Sequence, residues 1–241
     1  MAIYDVLAPH YDAVTGDPAT EALLIKDVID RRHGQVTTLL DVACGTGAVT
    51  SLLSRVYQVS GLDISAGMLA VARDKLPHGT PLYVADMTSF RLNARFDAII
   101  CAYQGVNHLL SLPAWKSFFG CAYRHLNPGG VFVFDIATLS YLMAMAGTPR
   151  VVEQFGGNYL LIRVRTADGT LFRWHIEVFE LQRDGTYTLL AQAIELASFP
   201  IAQITESLGC WFTDIEVIGG DGSSADPDGE DRILLACAKP A

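Results

Sequence analysis

Residues 38–63, TLLDVACGTGAVTSLLSRVYQVSGLD, constrain this chain more than any other stretch. Leu39 and Leu40 belong to a short apolar run that ends in Asp41. A tight turn follows through Ala43, Cys44, Gly45, Thr46 and Gly47, then a helical stretch and a second apolar run ending at Asp63. A strand, loop, helix and strand in that order form a unit that can hold a nucleoside. Gly45 and Gly47 permit backbone conformations that side chains bar and let a ligand approach closely. An acid at the end of the second strand can accept hydrogen bonds from ribose hydroxyls.

The same stretch argues against a dinucleotide. A dinucleotide loop expects a third glycine, where helix and strand pack closely and the helix N-terminus meets a pyrophosphate. Here the run is Gly45-Thr46-Gly47-Ala48-Val49-Thr50, with Thr50 at that place. Asp41 puts an anion beside the turn, which repels a pyrophosphate and suits a ligand carrying an ammonium and a sulfonium.

DVACGTG resembles the glycine-rich first motif of the class I S-adenosylmethionine-dependent methyltransferases, usually [LV]D[LVI][GA]CGTG. Further matches follow in order: GLDIS at 61–65 with Met68, Leu69 and Ala72, then Asp86-Met87 after a third apolar run. FDAIICAY at 96–103 and LNPGGVFVFDI at 126–136 complete the series. The resemblance covers residues 1–140 well and is strongest to small-molecule enzymes, including those that methylate sugar amines and glycine. It implies a Rossmann-like seven-stranded α/β sheet with helices on both faces and S-adenosyl-L-methionine as cofactor. It further implies that Asp41, Ala43, Gly45 and Gly47 lie under the methionine portion, with Ala102 and Tyr103 facing its ammonium. Asp63 takes the ribose, Ile64 and Met68 sandwich the adenine, and Asp86 with Met87 meets the exocyclic amine. Without the resemblance, Met68 reads equally as helix packing and Asp86 as a helix cap. Tyr4, Tyr11 and Asp12 form a YxxxAxxYD pattern similar to the family's N-terminal segment, which folds over the bound cofactor.

The rest of the chain alternates apolar runs (57–62, 82–85, 96–101, 131–136) with helical patterns (48–55, 66–75, 113–126), preceded by an amphipathic helix at 19–33. Strands spaced by helices predict a parallel sheet covered on both faces. Residues 151–199 alternate instead, with Asp168-Gly169 and Asp184-Gly185 as hairpin turns, and predict three antiparallel strands inserted after the fifth core strand. A short helix at 201–208 and strands at 211–218 and 232–239 follow, joined by an acidic Gly/Ser-rich loop at 219–231. The implied organisation is a cofactor-binding core with an N-terminal helical segment (1–150), a β insertion (151–199), and a C-terminal helix and hairpin completing the core sheet (200–241). The insertion reads as a lid or acceptor wall, or as a homo-oligomer surface.

Methyl transfer from a sulfonium needs no protein nucleophile; it needs two reactants held at attack distance and, for a protonated acceptor, a place for the proton. His108, in the QGVNHL segment after the fourth strand, is the candidate general base or acceptor hydrogen bond, or else a structural histidine bonded to backbone. Tyr11 is the second candidate on the acceptor side. Asp135, Thr138, Arg173, Trp174 and His175 are further positions that could face a small-molecule acceptor.

Composition excludes several classes. The net charge of −9, with no Lys/Arg cluster, gives no face for a nucleic-acid backbone. No apolar stretch is long enough for a membrane span, and MAIYDVLAPHYD lacks the basic segment and apolar core of a signal peptide. Five cysteines without CxxC or metal-ligand spacing predict reduced thiols in a cytoplasm and no metal site. Cys44 reads as a packing residue of the loop. Two other readings of the chain are a cofactor-binding protein without turnover and an NAD-dependent oxidoreductase.

Overall fold

The computed structural model describes residues 8, 10–15, 17–148, 151–220, 222 and 229–241; Tyr4 and most of the predicted 219–231 loop lie outside them. Helices α1 (Tyr11–Thr15) and α2 (Ala19–Arg32) lead into the strand-helix series. That series is β1 (Thr38–Val42), α3 (Ala48–Leu53), β2 (Gln58–Asp63), α4 (Ala66–Lys75), β3 (Leu82–Val84) and β4 (Phe96–Cys101). A 3₁₀ turn (Gly105–His108), α5 (Leu112–His125) and β5 (Leu126–Ala137) follow. Beyond the insertion come α7 (Ile201–Gly209) and the hairpin β10 (Thr213–Gly219) and β11 (Arg232–Ala238).

The core sheet has the order β10-β11-β5-β4-β1-β2-β3. β1 to β5 are parallel, whereas β11 runs antiparallel to β5, with Leu235 opposite Phe134, and β10 antiparallel to β11. Successive strand residues point to opposite faces, and both faces are apolar because both are covered. Leu40, Val42 and Ile99 join Trp115, Phe118 and Phe119 of α5 on one side. Leu39, Ala98 and Ile100 join Ile25, Val28 and Ile29 of α2 and Val49 of α3 on the other. Ser65 starts α4 by accepting the Met68 N–H at 3.0 Å, and Ser111 does the same for α5 with Ala114 at 3.4 Å. From β1 the chain winds toward β2 and β3, and from β4 toward β5, so the order reverses between β1 and β4. That is where an open α/β sheet leaves a crevice at its carboxyl edge.

The insertion holds four strands, not the three predicted: β6 (Val151–Phe155), β7 (Asn158–Thr166), β8 (Leu171–Leu181) and β9 (Tyr187–Ala197), paired in that order and antiparallel throughout. β6 is too short to show its alternation, and its turn is made by Gly156 (φ 51°) and Gly157 (φ 87°). A helix the sequence pattern did not predict, α6 (Leu139–Gly147), connects β5 to β6. Its sequence LSYLMAMAG has no polar stripe to reveal a helical period. One face of the inserted sheet packs on α6 through Leu160, Val164, Phe172, Ile176 and Leu196 around Leu142. Arg163, Arg165, Arg173 and His175 alternate onto the other face.

Candidate active site

A cavity of about 280 Å³ opens at the carboxyl ends of β1, β2 and β4. Its floor is the loop after β1. Ala43 (φ 59°), Gly45 (φ 55°) and Gly47 (φ 72°) take left-handed conformations there, which cost a non-glycine residue roughly 1–2 kcal/mol each. The loop is pinned to β2: Cys44 N–H donates to Leu62 O at 3.1 Å, and Gly45 N–H to Asp63 Oδ2 at 2.9 Å. Asp63 Oδ1 accepts the Ser65 N–H at 2.8 Å. One carboxylate thus fixes the loop and the start of α4 together, and each of its oxygens can accept more than one hydrogen bond. The backbones pack tightly, since a Cβ on Gly105 would stand 2.9 Å from Ala43 Cβ and 2.9 Å from Cys101 Sγ. Cys44 Sγ fills the space a Cβ on Gly61 would need. Burial, with Asp41 and Asp63 nearby, pushes its thiol well up, so it packs and does not react.

Asp41 is fully buried. Its Oδ2 accepts the Thr50 hydroxyl at 2.6 Å, while its Oδ1 has no hydrogen-bond partner among the described residues. Burial raises its pKa to about 7, against the Thr50 hydrogen bond and with help from the Asp63 charge. An orphaned buried carboxylate oxygen is costly unless a donor or cation meets it. Thr50, which stands where a dinucleotide loop has glycine, has this specific task.

Tyr11, Asp41, Ala43, Gly45, Asp63, Ile64, Asp86, Met87, Ala102, Tyr103 and His108 all line the cavity. Gly47 and Met68 do not. Gly47 opens α3, where a Cβ would press Ala72 Cβ at 3.0 Å, so its place is loop-to-helix packing. Met68 is buried within α4. Asp86 accepts the Thr88 N–H and hydroxyl, each at 2.7 Å, as a turn rather than a helix cap. Tyr11 reaches the cavity because α1 is fastened over it: Asp12 accepts the Thr46 hydroxyl at 2.5 Å and pairs with Lys75 of α4. Burial and the Asp63 charge push the Tyr11 phenol far up, so it stays protonated as a donor. Burial drops His108 to about 4, leaving a neutral imidazole at physiological pH.

The remaining acceptor candidates stand elsewhere. Asp135 is buried beneath the cavity in an ion pair with Arg232. Thr138 caps α6 by accepting the Tyr141 N–H and donates to Glu230 O at 2.6 Å. Arg173 pairs with Glu195 on the outer face of the inserted sheet, the face His175 shares. Trp174 is on the inner face, its indole N–H buried with no partner among the described residues. Thr15, Ser65, Thr88 and Leu109 also line the cavity; no motif position singled them out. Their only signal was adjacency to Tyr11, Asp63, Asp86 and His108.

Residues 39–130 match the family model described as a methyltransferase domain. The chain is 36% identical over 120 residues to the dTDP-3-amino-3,4,6-trideoxy-alpha-D-glucopyranose N,N-dimethyltransferase of Streptomyces venezuelae, covering 49% of this chain and 50% of that one. It is 34% identical over 116 residues to the dTDP-3-amino-3,6-dideoxy-alpha-D-glucopyranose N,N-dimethyltransferase of Streptomyces fradiae, covering 48% and 45%. It thus spans about half the length of the curated relatives it matches. An S-adenosylmethionine-dependent methyltransferase from Clostridium acetobutylicum shares the fold with a TM-score of 0.85 at 22% identity, over 99% of this chain and 97% of that one. The sugar N-methyltransferase KedS8 from Streptoalloteichus does so with a TM-score of 0.80 at 25% identity, over 100% and 94%. The architecture is that of the class I S-adenosylmethionine-dependent methyltransferases. Within it, residues 39–130 resemble a methyltransferase domain, and the relatives matched over about half their length include sugar-amine N,N-dimethyltransferases.

The site's residues fit that cofactor. The partnerless Asp41 oxygen suits a cation, the left-handed Gly45 backbone admits a close approach, and Asp63 stands at the β2 end where a ribose would lie. The described lining residues include Asp41, Asp63 and Asp86 and neither lysine nor arginine, a charge balance matched to a sulfonium and an ammonium.

Proposed function

We propose that this chain is an S-adenosylmethionine-dependent methyltransferase that methylates the nitrogen of a small metabolite in the cytoplasm, with a sugar amine as the first acceptor class to test. The observation that carries the reading is the buried Asp41 carboxylate, one oxygen held by Thr50 and the other without a partner, beside a left-handed glycine loop. S-adenosylmethionine, when bound, supplies an already activated methyl carbon. The protein's share is placement. Asp41 and the Ala43–Gly47 loop hold the amino-acid end, Asp63 the ribose, and Ile64, Asp86 and Met87 the base. Ala102 and Tyr103 close the far side.

On the acceptor side, Tyr11 stays protonated and donates a hydrogen bond, restricting how the amine can turn. His108 stays neutral and offers a nitrogen to the amine proton. Its depressed basicity suits a hydrogen bond accepted from the amine N–H that orients the lone pair, and not proton capture, so the methylated amine leaves as an ammonium and gives its proton to water. The inserted sheet, whose apolar face turns toward α6 and the core, forms one wall of the acceptor space in this reading. Two measurements test it: calorimetry with S-adenosylhomocysteine, and turnover of methyl-labelled cofactor against a panel of amino sugars and simpler amines. Tight binding without turnover on any amine would favour a silent cofactor-binding protein. Tighter binding of NAD than of S-adenosylhomocysteine would overturn the reading.

A further inference from the structure

Tyr103 (φ 54°) and Gln104 (φ 60°) are two successive non-glycine residues in the left-handed region. They join β4 to the 3₁₀ turn and so decide where Ala102, Tyr103 and His108 point. A conformation that unfavourable persists only where its surroundings impose it. The Gln104 N–H donates to Asp135 Oδ1 at 2.8 Å. Asp135, near the end of β5, has 1% of its surface exposed, and its Oδ2 lies 3.0 Å from Arg232 Nε on β11. Arg232 in turn pairs with Glu21 of α2, itself 4% exposed. A buried charge without a countercharge is strongly disfavoured; burial pushes the Asp135 carboxyl up while the Arg232 charge beside it pulls it back down, and in either protonation state Oδ1 accepts the turn's N–H. The Tyr103 hydroxyl lies within the field of Glu21, Arg232, Asp135 and Asp17. The chain of charges runs from the root of the N-terminal cover to the turn that lines the cavity.

We propose that Asp135 is a positioning residue: seated by Arg232 and Glu21, it holds the Tyr103–Gln104 turn in the conformation that aims Ala102, Tyr103 and His108 into the cavity. Its consequence for affinity rests on the methyl-transfer reading; its geometry does not. The test therefore uses two readouts on the full chain, hydrogen–deuterium exchange of segment 102–109 and calorimetry with S-adenosylhomocysteine. Asp135→Ala should speed exchange in that segment about tenfold and weaken binding about tenfold, the scale of one lost buried hydrogen bond. Asp135→Asn keeps an oxygen for the Gln104 N–H and should restore affinity to within about threefold of the parent. Arg32→Met breaks a comparable pair between α2 and β10, Arg32–Glu216 at 2.9 Å, and should change neither readout at the turn. A folded Asp135→Ala protein with parental exchange and affinity overturns the proposal, as does an equal response to Arg32→Met. Should Asp135→Ala fail to fold, Glu21→Gln decides: exchange about threefold faster supports the seating and unchanged exchange overturns it. A parent chain that protects 102–109 yet does not bind S-adenosylhomocysteine sinks the cofactor reading and leaves the exchange test standing.

Discussion

The loop after β1 and the inserted sheet use their polar groups in opposite ways. In the loop, almost every polar group has a fixed partner: Gly45 and Ser65 N–H on Asp63, Thr50 on Asp41, Thr46 on Asp12. One buried oxygen, Asp41 Oδ1, is left over. In the sheet, Arg173 pairs with Glu195 on the exposed outer face, while the inner face buries an indole N–H and the Gln192 Oε1 that have no partner among the described residues. A site built like the loop recognises one ligand closely. The sheet, which in the proposed reading walls the acceptor space, holds buried polar atoms that have no such matched partners among the described residues. The contrast teaches that cofactor binding should be rigidly encoded and acceptor choice loosely so.

Asp63→Ala breaks the comparison hardest. It removes two hydrogen bonds to a carboxylate that pin the loop, so S-adenosylhomocysteine affinity by calorimetry should fall about a hundredfold. A small change would mean that the loop stands without its pin. His108→Ala should cut turnover of labelled cofactor about thirtyfold, with cofactor affinity nearly unchanged, which separates the acceptor side from the loop.

Asp41→Asn gives the pH signature. The folded carboxyl titrates near 7, far above its ordinary value, so the folded state holds a proton that the unfolded chain has already lost. The stability this confers is complete below the ordinary carboxyl value of 3.8 and is lost progressively as pH rises from there through about 7. The Asn variant without ligand should therefore melt several degrees above the parent at pH 8, with the gap narrowing steadily toward about pH 4. Affinity for the cationic cofactor should climb through about pH 7 in the parent, whereas the variant should be flat and about tenfold weaker at pH 8. The smallest effect belongs to the sheet: Trp174→Phe should move an acceptor KM about threefold and leave cofactor affinity alone. Equal effects on both would place the sheet in the cofactor site.

Much of the core was legible because its signals are local. DVACGTG and GLD report a turn and a strand end within 26 residues, and ten of the cofactor-side residues chosen from motifs line one cavity. Gly47 and Met68 stand outside that cavity's lining for a related reason: motif position reports the segment, whereas facing is decided by packing on α4. β6 and α6 were missed because a five-residue strand and an all-apolar helix carry no usable period. Asp135 was read as facing the acceptor because a strand-end acid looks alike whether it points into a crevice or under it. Its partners, Arg232 and Glu21, are remote in sequence, and only the folded sheet brings them together.

Asp12 has a kinetic consequence. It joins α1 to both Thr46 and Lys75, and the Lys75 contact is a partly exposed ion pair of the sort that dissolved electrolyte weakens. A molecule lodged under α1 stays as long as that clasp holds. Its residence time should shorten as ionic strength rises, and if product departure limits the cycle, added salt will speed the enzyme before it slows it.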